Sequence, residues 1–164
     1  MRGLESEGCF DAVRSLLETL GIRWALAGAI AAGFYRATQR PTTDVDFLVA
    51  WDPQLVARLV GAGFDVRVFE DQGEAHLVRA RRMDCLVDLI VTGTDYQERA
   101  LDRARDHVLT VEDVLIHKLI AWRTRDQNDI RSILSTGGAV DKLYVDRWAA
   151  EWGVADRWRE AQAW

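Results

Sequence analysis

Two aspartates stand two residues apart in the run Thr43-Asp44-Val45-Asp46-Phe47-Leu48-Val49. In an extended strand such residues share a face. The apolar run behind them marks the strand as central and buried. Two like charges at the end of a buried strand are costly unless a cation neutralises them. For an all-oxygen pair the simplest neutraliser is Mg²⁺. The alternative is a solvated strand entry, with one aspartate capping the loop and the other facing water.

A third carboxylate, Asp88, lies within Leu86-Val87-Asp88-Leu89-Ile90-Val91. A charge inside so apolar a run needs a reason. A neighbouring strand could set it beside Asp44 and Asp46, completing three ligands for one or two Mg²⁺. A salt bridge to Arg79 or Arg81 would also satisfy it. Asp84 has the same parity, but the flanks of Asp88 are more apolar.

Gly28-Ala29 stands where a strand turns into a helix. A glycine there lets a ligand approach the backbone, and the first helical amides can hold a phosphate; a plain tight turn is the other reading. Lys118, among Ile116, Leu119 and Ile120, could reach a triphosphate as a point charge or lie along the core edge with its amine in water. Arg125, Asp126 and Asp129 follow, and aspartates at a helix start serve as caps or ion-pair partners. His117 reads as incidental to the site.

The elements that must position these groups follow from periodicity and punctuation. Phe10, Val13, Leu16, Leu17 and Leu20 recur at helical spacing, and Gly21 ends that helix. Strands are expected over Ile22–Ala27, Thr43–Ala50, Phe64–Phe69, Ala75–Ala80 and Met83–Val91. The spacing predicts helices over Ala29–Thr38, and from Asp52-Pro53 to Gly61. Thr110 caps a further helix, with Asp113 at the capping-box position. Beyond Gly137-Gly138, two short helices carry Trp148, Trp152 and Trp158. Trp148 and Trp152 share a helix face and read as core or an oligomer contact rather than a base-stacking platform.

This order, strands and helices mixed early and helices alone later, implies an α/β fold with a helical C-terminal extension. Residues 1–100 form the expected core, and 101–164 a helical part packed on it as one compact unit. The chain has 164 residues, 49% of them hydrophobic, enough to bury one core. A formal charge of −5 argues against a long nucleic-acid footprint, though not against a small contact with an RNA end. Cys9 and Cys85 show no paired spacing and suggest buried thiols in a reducing compartment, with no disulfide and no zinc site. Trp24–Tyr35, the longest apolar stretch, is too short to span a bilayer. Glu5 and Glu7 interrupt any signal-peptide pattern. These features suggest a cytoplasmic protein with no membrane partner.

Together these residues resemble the nucleotidyltransferase superfamily, whose fold is shared with polymerase β-type enzymes. That family's pattern is a hydrophobic strand, Gly-Gly or Gly-Ser, a short helix, Asp-hydrophobic-Asp, and a third acidic residue on a later strand. Gly28-Ala29, Asp44-Val45-Asp46 and Asp88 fill those places. Leu26–Leu48, with Arg40-Pro41-Thr42-Thr43 before the aspartates, is similar to the abortive-infection AbiEii-like branch. Glu112-Asp113, Lys118, Arg125-Asp126 and Asp129 resemble its later motifs. The likeness covers about residues 22–134. Ala29 departs from it, placing a methyl group where the family has Gly or Ser. The chain is also short for AbiEii-like toxins.

The resemblance implies a mixed sheet flanked by helices, and Mg²⁺-dependent transfer of a nucleoside monophosphate from an NTP to a hydroxyl. Asp44, Asp46 and Asp88 would hold two Mg²⁺ ions, with Asp88 also the general base. Gly28, Ala29, Thr43 and Lys118 would bind the nucleotide. The acceptor could be RNA such as tRNA, a protein, or a small molecule such as an antibiotic. The competing expectation is a catalytically silent fold that binds a partner protein, as in a toxin–antitoxin pair. The Asp-x-Asp motif of sugar transferases is disfavoured, because too few residues precede Asp44. The Trp-bearing tail makes a homodimer a further expectation.

Overall fold

The computed structural model describes residues 2–164, with side chains from Gly8 onward. Glu5 and Glu7 therefore lie outside the described side chains. Helix α1 (Arg2–Thr19) leads through a turn at Gly21 into β1 (Trp24–Leu26), and α2 (Gly28–Gly33) follows at once. Next come β2 (Asp44–Val49), α3 (Leu55–Gly61), β3 (Asp65–Asp71), β4 (Glu74–Arg82) and β5 (Cys85–Val91). The rest is helical: α4 (Asp95–Arg103), α5 (Val111–Ala121), α6 (Thr124–Ser135), α7 (Lys142–Glu151) and α8 (Ala155–Gln162). No helix among the described residues is long and apolar enough to cross a membrane.

The strands form one 5-stranded sheet in the order β1-β2-β5-β4-β3. Only β2 and β5 run parallel; the other neighbours are antiparallel, so the sheet is mixed, as expected. Alternation along β2 separates two faces. Val45, Phe47 and Val49 face one way and are buried. Phe47 stacks on Phe10 of α1 at 5.8 Å, so α1 covers that face. Asp44 and Asp46 face the other way, toward α2.

The expected helix over Ala29–Thr38 ends early, at Gly33. Phe34 and Tyr35 close the turn with bonds to Ala31 and Ala32 carbonyls. The chain then bends so that Arg36 reaches Asp129 at 2.9 Å and Ala37 reaches Ser132. A buried ion pair thus overrides local propensity. Met83, expected in a strand, sits in the β4–β5 turn with φ +54 and is 85% exposed.

The cysteine expectation is overturned. Cys9 and Cys85 form a disulfide with Cα atoms 6.4 Å apart. Their separation of 76 residues hid the contact. Packing of α1 across β5 brings the two positions together.

Candidate functional site

The site grows from the β1–α2 turn. Ala27 N–H donates to the Asp46 carbonyl at 2.9 Å, tying the turn to β2. Gly28 has φ +58, a left-handed conformation that suits glycine. A β carbon there would lie 1.9 Å from Asp46 Oδ2. Backbone and carboxylate therefore pack directly against each other, and only hydrogen fits between them. No side chain caps the N-terminus of α2, where Gly28 and Ala29 lie.

Parallel pairing sets Asp46 opposite Asp88, one strand away in register. Burial, reinforced by the Asp88 and Asp44 carboxylates, pushes the Asp46 carboxyl above the usual aspartate range, against Lys118 and Arg125. Asp44 is exposed at the head of β2 and takes a hydrogen bond from the Thr43 hydroxyl at 3.2 Å. Thr43 is itself exposed at the strand entry.

Asp88 does not stand free. Arg79, its cross-strand partner on β4, donates to both carboxylate oxygens at 2.7 and 2.8 Å. Asp88 thus has the ion pair that the sequence offers as one of its readings, and it lies in register with Asp46. Among the described residues no three His, Cys, Asp or Glu side chains are arranged to hold a metal. Asp46 and Asp88 are carboxylates in register on adjacent strands, with Asp44 two residues before Asp46 on the same strand face.

Lys118 is buried, and its amine is not in water. Its Nζ donates to Asp126 at 3.0 Å and pairs with Asp129 at 2.9 Å. Asp129 also receives Arg36 and Arg40, and Asp126 receives Arg123. Burial would raise both carboxyls, but the hydrogen bonds win and hold them below the usual range. Asp126 and Asp129 are thus ion-pair partners.

A cavity of about 400 Å³ opens beside Gly28, Asp46 and Lys118. Its remaining wall includes Tyr96, His117, Ile120 and Trp152. Tyr96, Trp152 and His117 line the site although their sequence context gives no sign of it. Tyr96 comes from α4, whose entry signal is Thr94, with a hydroxyl that accepts from Gln97 N–H. Trp148 and Trp158 are core, while Trp152, on the expected shared face, is 38% exposed at the cavity.

The arrangement matches known architecture. The antibiotic-resistance factor ANT(2'')-Ia in solution aligns over 99% of this chain and 96% of its own, with TM-score 0.60 and 17% identity. The chain has the nucleotidyltransferase fold. A crystal structure of ANT(2'')-Ia in complex with adenylyl-2''-tobramycin aligns over 88% of this chain and 95% of its own, with TM-score 0.55 and 15% identity. A candidate nucleotidyltransferase from H. pylori aligns over 78% of this chain and 66% of its own, with TM-score 0.53 and 18% identity. No protein-family model and no curated protein matches the sequence. In this fold the Gly28 turn and Asp46 line the cavity, and Asp88 stands in register with Asp46 on the neighbouring strand.

Proposed function

We propose that this chain is a Mg²⁺-dependent nucleotidyltransferase that moves a nucleoside monophosphate from an NTP to a hydroxyl-bearing acceptor. The observation that carries the reading is Asp46, pressed against Gly28 and in register with Asp88. That is a like-charge pair beside a backbone turn open to a phosphate. The fold shared with ANT(2'')-Ia supports it.

In the reaction the acceptor oxygen bonds to the α-phosphorus. The bond from that phosphorus to the α–β bridging oxygen breaks, and pyrophosphate leaves with the electron pair. Bound Mg²⁺ would neutralise phosphate charge and acidify the acceptor hydroxyl. Asp46 and Asp88 would hold it, with Asp44 at the rim. Asp88 takes the proton of the acceptor hydroxyl, and Arg79 fixes the direction of that carboxylate. The amides of Gly28 and Ala29 receive the phosphates. Lys118 adds positive charge from behind, while Thr43 stands at the rim beside Asp44.

The acceptor is RNA, a protein or a small molecule. An antibiotic is the small-molecule case, since a structure of ANT(2'')-Ia holds adenylylated tobramycin. The test is transfer of label from α-³²P NTPs to total RNA, to bulk protein and to an aminoglycoside panel. Transfer that needs Mg²⁺ and is lost in Asp46→Asn supports the reading. Equal label in wild type and Asp46→Asn contradicts it.

One observation favours a second reading, a silent fold that binds a partner protein. Arg79 already occupies both oxygens of Asp88, as a resident cation would.

A further inference from the structure

The cavity wall divides by chemistry. Asp46, Lys118, Arg123 and Asp126 supply charge; Tyr96, Ile120 and Trp152 supply apolar and aromatic surface. A ligand filling it needs an ionic part and a flat apolar part. A volume near 400 Å³ lies within the range of small-molecule sites.

The aromatic part is built to stay in place. The Tyr96 hydroxyl donates to Asp113 at 3.1 Å, and Asp113 is fully buried. Trp148 packs on Tyr96 from the core at 5.0 Å. Trp152 meets the Tyr96 ring edge-on at 5.9 Å and 81°. A large aromatic held this way and still 38% exposed leaves ring surface for a ligand. Gln97 and His117 also line the cavity, and burial lowers the pKa of the His117 ring.

Asp88 and Arg79 are not part of the cavity wall. An acceptor that reacts at Asp88 therefore approaches from outside it, and the cavity is left to the nucleotide. We infer that Trp152, backed by Tyr96, seats the base of the nucleotide by stacking. The inference rests on the nucleotidyltransferase reading and names the part of the substrate that the cavity takes. Stacking is tolerant of base identity, because every base presents a π-face. All four nucleotides are therefore expected to use the same seat.

The experiment is calorimetric titration, with Mg²⁺, of the four NTPs and of ribose 5-triphosphate, which lacks a base. Wild type, Trp152→Ala and Trp152→Phe are compared, and thermal melts confirm that each is folded. In Trp152→Ala, NTP affinity falls by about 5-fold or more, the range expected for one lost stack. Ribose 5-triphosphate affinity stays within about 2-fold, and Trp152→Phe regains most of the NTP loss. NTP affinity unchanged in Trp152→Ala, beside a wild type that binds, overturns the base seat and leaves the transferase reading standing. Equal weakening of NTP and ribose 5-triphosphate also overturns it. A wild type that binds no NTP overturns both.

Discussion

Gly28 and Asp46 are packed so closely that any β carbon at residue 28 would collide with the carboxylate, at 1.9 Å from Oδ2. Gly28→Ala must adopt a left-handed backbone, at a cost of about 1–2 kcal/mol, and must also displace Asp46. We expect a lower unfolding midpoint and loss of nucleotide binding by calorimetry. A variant that binds NTP as wild type does would mean that the close approach serves only the turn.

Asp46 also predicts a pH dependence. Burial beside Asp88 raises its pKa in the folded state. A carboxyl with a raised folded pKa opposes folding once ionised, and that penalty is absent below its unfolded pKa. Asp46→Asn is therefore more stable than wild type at pH 7. The gain shrinks toward zero as pH falls below about 4, the ordinary aspartate value. Urea unfolding of both proteins from pH 3.5 to 8 checks this. A variant less stable at pH 7 would make Asp46 a structural group.

Lys118 bridges two buried aspartates, so its removal should cost stability before it costs ligand affinity. Lys118→Ala leaves Asp126 to Arg123, and Asp129 to Arg36 and Arg40. Breaking a buried ion pair by removing one partner costs about 3 kcal/mol. Denaturant unfolding should show a loss of this order. A loss below about 1 kcal/mol would mean that the arginines alone neutralise the pair.

The Cys9–Cys85 bond closes a long loop, with a sequence separation of 76 residues. Loop-closure entropy for that length is on the order of 4 kcal/mol. Unfolding with and without dithiothreitol should differ by an amount of this order, and Cys9→Ser should match the reduced protein. Identical midpoints would show that the bond contributes nothing to stability.

Much of the strand framework was legible because local pattern and packing agree. Asp44-Val45-Asp46 announced β2, since a buried apolar run behind two carboxylates reads the same in sequence and structure. Asp88 was located, and Arg79 was already one of its two expected partners. What escaped were contacts set by distant packing. Cys9 meets Cys85 only because α1 crosses β5. Arg36 bends the chain after Gly33 to reach Asp129, which no local spacing reveals. The pairing of Lys118 with Asp126 and Asp129 was hidden because both aspartates lie in the next helix. Trp152 shared the expected face with Trp148, but only the placement of α4 shows that one ring is core and the other lines the cavity.

The central claim is tested most directly by calorimetric titration of the four nucleoside triphosphates, with Mg²⁺, into wild type and Asp46→Asn. The account predicts binding by wild type and its loss in the variant, with both proteins folded. No binding by either protein, or equal binding by both, would contradict it.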